Sequence, residues 1–263
     1  MSLVRALYQL LLLPMLLCFA ARSVAGPAQG QMLQVPTRDG SSVTVFWAER
    51  EQARATVLLF PGGGGGFGRL VDGRPQGGNF LVRSSAAFQA AGYQVAIFGR
   101  RADGAELGYE DRILPAHLAD IADVVAALKA RSDRPLWLVG TSRGTISAAS
   151  GAIALGDQIA GLVLSSSIVA MKKPGALPSL DLAAIRKPVL LLHHEKDACW
   201  VCKPQEVPAL LQRFSGAPVK RLIWADGGGP ASGEPCEPQH WHGFVGMEAE
   251  AVGLITDWLA EPR

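Results

Sequence analysis

The run Leu136-Trp137-Leu138-Val139-Gly140-Thr141-Ser142-Arg143-Gly144-Thr145-Ile146-Ser147-Ala148 decides the reading of this chain. Four apolar residues come first, then a turn framed by two glycines, then a stretch of small residues. Residues 136–139 read as a buried strand, and the segment from 144 to about 155 reads as an Ala-rich helix. G-x-S-x-G between a strand and a helix demands a sharp, strained turn whose neighbours are small. Such a turn lifts the Ser142 hydroxyl above the strand end and points the Arg143 N–H at the same spot. Ser142 is therefore a candidate nucleophile. The competing reading is a plain strand-to-helix turn with a serine cap. Ser165, Ser166 and Ser167 also end a strand, but they lack the glycine frame and read as loop residues.

Outward from this turn, short apolar runs alternate with amphipathic stretches. Residues 31–35 and 42–47 alternate like half-buried strands, 56–60 and 93–98 read as buried strands, and 159–164, 188–193 and 219–224 read as strands. Helical spacing covers 79–91, 115–131, 207–214 and 244–259. This order predicts one α/β domain with a mostly parallel sheet, helices on both faces and an antiparallel N-terminal edge. A binding site then belongs at the carboxyl ends of the strands.

A serine hydroxyl needs a base to take its proton, and the base needs a third group to hold its tautomer. Where this turn carries the nucleophile, the acid and then the histidine follow along the chain. Asp197 stands just past the strand at 188–193, with Glu195 as competitor. His242 lies in a loop before the closing helix, with His240 as competitor. His193 and His194 are expected to finish the strand and line the site, and His117 to be structural. The loop Pro61-Gly62-Gly63-Gly64-Gly65-Gly66-Phe67-Gly68 also follows a strand. It admits three readings. It formally matches a dinucleotide fingerprint, with Arg100-Arg101 available for a 2′-phosphate, but no helix opens directly after it. It also reads as a flexible connection. With the serine turn downstream, we read it as half of an oxyanion hole, with Gly63 or Gly64 joining Arg143 as donor.

The chain has 263 residues, 49% hydrophobic and 18% charged, with a formal net charge of +2. That composition suits a packed core and excludes a disordered chain or a broad basic face for nucleic acid. Arg5, an apolar run from 6 to 21 and Ser23-Val24-Ala25 before Gly26-Pro27 read as a secretory leader cleaved after Ala25. The competing reading is a membrane anchor, for which the run is short and interrupted by Pro14. Residues 26–263 then form the working domain, exported to a periplasmic or extracellular space, with no stable membrane anchor. Arg5 and Arg22 account for the whole +2, so charge preference must be local. Arg69, Arg74, Arg100 and Arg101 are the places to look.

Pro61–Gly66, Gly140–Gly144, Asp197 and His242 together resemble the α/β-hydrolase superfamily, from about residue 31 to the end. Relatives often carry His-Gly where this chain has Pro61-Gly62. The resemblance implies an α/β-hydrolase fold and a cofactor-free serine hydrolase with the triad Ser142, Asp197 and His242. It implies acyl transfer on a small-molecule or acyl-ester substrate. An amidase or peptidase, or a non-catalytic binding protein on the same scaffold, are the alternatives. Only about 23 residues separate the strands ending near 164 and starting near 188, too few for a helical cap. Loops 69–78 and 101–112 are expected to wall an open site. Phe67, Trp200, Trp241 and Phe244 could supply apolar contacts. Cys199-Trp200-Val201-Cys202 and Cys236 admit a zinc or redox reading. We prefer a disulfide from Cys236 to Cys199 or Cys202, with Cys199–Cys236 favoured, tying the acid loop to the histidine loop.

Overall fold

Strands that are apolar on both faces need helices on both sides, and the chain supplies them. The computed structural model describes residues 29–263, so the leader expected over 1–25 lies outside the described residues. The main sheet has strands β1 (Gln31–Pro36), β2 (Ser42–Ala48), β3 (Thr56–Phe60), β4 (Gln94–Arg101), β5 (Leu136–Thr141), β6 (Gly161–Ser165), β7 (Val189–His194) and β8 (Lys220–Ala225). Their spatial order is β1-β2-β4-β3-β5-β6-β7-β8. β1 and β2 pair antiparallel, β2 joins β4 antiparallel, and every pairing from β4 to β8 is parallel. Alternate residues of one strand serve opposite layers. Leu58 and Phe60 pack with Val124, Leu128 and Ala148, whereas Val57 and Leu59 pack with Phe88, Ile255 and Trp258.

The helices are α1 (Phe80–Arg83), α2 (Ser85–Ala90), α3 (Pro115–Lys129), α4 (Gly144–Leu155), α5 (Val207–Arg213) and α6 (Glu248–Ala260). α3, α4 and α5 cover one face, and α1, α2 and α6 the other. The helix expected over 79–91 is broken at Ser84, where φ is −95° and ψ is 2°. The break falls at a Ser-Ser pair, a common place for a helix to interrupt. β4 runs three residues past its apolar stretch. Thr44 of β2 extends the pairing by bonding the Arg100 carbonyl at 2.9 Å and the Arg100 N–H at 3.1 Å. The helix expected from 244 starts at Glu248 instead. Phe244 adopts φ +57° and buries its ring 4.7 Å from that of Phe80, so the chain turns before it can coil. Loop 69–78 contains a small hairpin, Leu70–Val71 with Arg74–Pro75.

Candidate active site

β5 ends at Thr141 and α4 begins at Gly144, leaving Ser142 to make the turn at φ +51°. A non-glycine residue there carries strain of order 1–3 kcal/mol. The turn is pinned by the Ser142 N–H donating to Ser165 O at 3.0 Å and by Thr145 donating to Ser142 O through both its N–H and its hydroxyl. Both framing glycines are sterically required. A Cβ on Gly140 would meet Gly144 O at 2.6 Å, and one on Gly144 would strike the Phe60 carbonyl of β3.

Asp197 follows β7 and is buried. Its Oδ1 accepts the Cys199 N–H at 2.9 Å, and its Oδ2 lies 3.0 Å from His242 Nδ1. His242, also buried, sits in the turn Trp241–Gly243. With Nδ1 committed to the carboxylate, Nε2 is the nitrogen left for chemistry. The competitors lie elsewhere. Glu195 is exposed, and His240 packs edge-on to Trp241 at 5.0 Å. His193 and His194 do not line the site as expected. His193 lies behind it, donating from Nε2 to Cys202 O at 2.8 Å, and burial lowers its pKa to about 4. His194 bonds Gly227 O and stands against the Trp241 and Phe244 rings.

Ser142, Arg143, Gly63 and His242 line one cavity of about 240 Å³ at the carboxyl ends of the strands. Among the described residues, no protein acceptor takes the N–H of Gly63 or of Arg143. Both residues share the cavity lining with Ser142, and unpaired N–H groups are what a developing oxyanion needs. Gly64 is not part of the lining. Its carbonyl accepts from Leu107 N–H at 3.0 Å, and a Cβ there would hit the Glu106 carboxylate. Phe80, Tyr109, Trp200, Val201 and Pro238 supply the walls. Of the four aromatics expected as contacts, only Trp200 lines the cavity. Phe67 and Phe244 belong to the core, and Trp241 packs on His194 and His240. Loop 69–78 contributes nothing to the wall, and loop 101–112 contributes Tyr109. Between β6 and β7 the chain makes only short turns, Leu177–Ser179 and Leu182–Ala184, so this segment builds no helical cap.

Cys199 and Cys236 are bonded to each other, and Cys202 is a buried free thiol whose pKa burial raises well above its usual value. Cys199, Cys202 and His242 offer atoms within 4.8 Å of one another, but a bridged Cys199 has no thiolate to give a metal, which argues against the zinc reading. The dinucleotide reading also fails. The glycine loop leads into the small hairpin rather than a helix. Arg100 is paired with Glu106 at 2.9 Å, and Arg101 with Asp120 at 3.0 Å. Those arginines, with Arg69 and Arg74, stand away from the cavity, so they are not the source of local charge at this site.

Three residues that hold the site escaped the sequence reading. Arg112, almost fully buried, donates from Nη2 to Gly63 O at 3.0 Å and from Nη1 to Ser147 Oγ at 2.9 Å, fixing the glycine loop. Burial and the nearby Arg143 charge lower its pKa to about 10. Arg83 clamps the histidine loop, donating to Gly243 O at 2.6 Å and Pro238 O at 3.1 Å while paired with Glu248 at 2.9 Å. Ser166, at φ +46°, donates its hydroxyl to His242 O at 2.8 Å. An arginine in a short polar loop gives no local sign of burial. The only hint for Ser166 was its place at a strand end.

No protein-family model matches the sequence, and no curated protein matches it. Solved structures do. An α/β serine hydrolase without lid from Xanthomonas campestris is similar, with TM-score 0.58 and 18% identity over 88% of this chain and 96% of that one. A Pyrococcus furiosus esterase is similar with TM-score 0.63 and 18% identity, over 88% of this chain and 92% of that one. An α/β serine hydrolase homologue from Coxiella burnetii is similar with TM-score 0.60 and 16% identity, over 89% of this chain and 98% of that one. Together with the strand order and the turn at Ser142, these likenesses show that the chain has the α/β-hydrolase fold.

Proposed function

We propose that this protein is a serine hydrolase that cleaves a carboxylic ester by acyl transfer. The observation that carries the reading is Ser142, held at φ +51° in a cavity shared with His242, whose Nδ1 lies 3.0 Å from Asp197 Oδ2. Ser142 Oγ attacks the carbonyl carbon while His242 Nε2 takes its proton. The carbonyl electron pair moves onto oxygen, where the N–H groups of Arg143 and Gly63 receive it. The intermediate collapses, the C–O bond to the alcohol breaks, and the departing oxygen takes the proton from His242. Water then repeats the sequence on the acyl-enzyme. Asp197 holds the imidazole tautomer and stabilises the imidazolium. The chemistry calls for no metal or cofactor.

The cavity is small and uncapped, which favours short acyl or alcohol groups in a small-molecule ester. Residues 26–263 work as one domain on this reading, supported by the single continuous main sheet. Export is part of the proposal. A Cys199–Cys236 bridge is the kind that persists in an oxidising compartment, and no helix among the described residues is long and apolar enough to cross a membrane. A p-nitrophenyl ester series of increasing acyl length tests the activity. The expected result is turnover that favours short chains and falls about 10⁴-fold or more in Ser142→Ala and in His242→Ala. Turnover that persists in both variants would refute the assignment.

A further inference from the structure

Two cations are stacked on the aromatic wall of the cavity without being neutralised. Arg143 lines it, and its guanidinium lies 4.6 Å above the Tyr109 ring with no carboxylate partner among the described residues. The Lys173 ammonium sits 5.2 Å from the centre of the same ring and 4.8 Å from that of Trp200, also with no carboxylate partner. Tyr109 and Trp200 both line the cavity. Aromatic faces can hold cations in place without neutralising them. A third cation lies behind, since Arg112 spends its donors on a hydroxyl and a carbonyl, with only Asp111 nearby as a counter-charge. On the acidic side, Asp197 is committed to His242. Glu237 also lines the cavity, on the histidine side, but stands exposed, where water screens it.

Resting on the serine-hydrolase reading, we infer that the site takes an ester that also bears a free carboxylate, bound by Arg143 and Lys173. Arg143 immediately follows Ser142, so a carboxylate paired with its guanidinium lies a few atoms from the reacting carbonyl. A planar guanidinium fork receives a carboxylate through two hydrogen bonds, and half-burial against Tyr109 protects the pair from screening. Lys173, just outside the lining, adds a second positive charge over the exposed Trp200, which does line the cavity. The substrate class is thus the half-ester of a diacid, or an ester whose alcohol part carries the carboxylate.

Two substrate pairs test this and separate the two forms. The first is mono-p-nitrophenyl glutarate against p-nitrophenyl butyrate. The second is 4-acetoxybenzoate against its methyl ester. At least one charged member is expected to exceed its neutral partner in kcat/KM by about tenfold at low salt. That ratio should shrink toward unity in about 0.5 M NaCl. It should collapse in Arg143→Gln, fall in Lys173→Gln and survive in Lys173→Arg, while Lys172→Gln, at an exposed position, leaves it unchanged. Because the reading is a ratio, any loss of general activity in the Arg143 variant cancels. If neutral esters are hydrolysed as well as charged ones in both pairs, the inference fails and the hydrolase reading stands. If no ester is hydrolysed and Ser142 resists a fluorophosphonate, the hydrolase reading fails and takes the inference with it.

Discussion

At the scale of the residue, strain and burial single out the atoms that matter. Ser142 stays in a left-handed conformation because its carbonyl and N–H are each tied to a neighbour, and because Gly140 and Gly144 allow the close approach. In this account Arg112 is a positioning residue: it holds the carbonyl of Gly63, a residue that lines the cavity. Arg112→Lys keeps the charge and loses the fork that spans Gly63 and Ser147. We expect a stability loss of about 1–3 kcal/mol from the unpaired buried groups. We also expect kcat to fall about tenfold with KM little changed, measured on a neutral ester beside urea unfolding. A kcat equal to the parent's would remove Arg112 from the positioning role. Ser142, Asp197 and His242, the proposed triad, could be picked out in the sequence because each follows a strand and the glycine frame marks the first; the structure puts Ser142 and His242 in one cavity and Asp197 3.0 Å from His242. Arg112, Arg83 and Ser166 were not, because their roles arise from contacts made across the fold.

At the scale of the element, the histidine loop is the part that local pattern could not describe. Residues 244–259 have helical spacing, yet Phe244 and Gly246 both take positive φ and α6 starts at Glu248. Tertiary burial of Phe244 overrides the helical preference. The loop is instead held by Arg83, by Ser166 and by the Cys199–Cys236 bridge. Closing a loop with a sequence separation of 37 stabilises by roughly 4 kcal/mol in the chain-entropy model. The double variant Cys199→Ala/Cys236→Ala is therefore expected to lose about that much in urea unfolding. It should also lose activity, because the loops bearing Asp197 and His242 are no longer joined. A double variant as stable and as active as the parent would contradict this. The strands were the most legible elements: the central ones are largely runs of apolar residues buried on both faces, and β1 and β2 showed as alternation. The far end of β4 was missed, where the Thr44 side chain and not hydrophobicity extends the pairing, and so was the small hairpin in loop 69–78.

At the scale of the molecule, two buried imidazoles link the fold to pH. Ser147 Oγ receives a hydrogen bond from Arg112, leaving its own proton for His117 Nε2 at 2.9 Å. His117 is thus held neutral, and burial together with the Arg112 charge lowers its pKa to about 3. His193 is lowered to about 4 by burial. Both values lie below the roughly 6.5 of an unfolded histidine. The unfolded chain therefore binds more protons in this window, and stability falls as pH drops below about 6.5 toward 4 and 3. Each group contributes a slope of up to about 1.4 kcal/mol per pH unit. Urea unfolding between pH 7 and pH 4 should show this loss, with a shallower slope in His117→Gln; a flat profile would count against it. The mostly parallel sheet, its antiparallel edge and the layering followed from the alternation of apolar runs and helices, whereas the spatial order of the strands and the cavity's walls came from contacts far apart in sequence. The central claim is that Ser142 is a nucleophile activated by His242. The most direct measurement is fluorophosphonate labelling of the folded protein, followed by intact-mass and peptide analysis. The account predicts one adduct, on the peptide bearing Ser142, absent in Ser142→Ala and strongly slowed in His242→Ala. Folded protein that remains unlabelled, or an adduct on another residue, would contradict it.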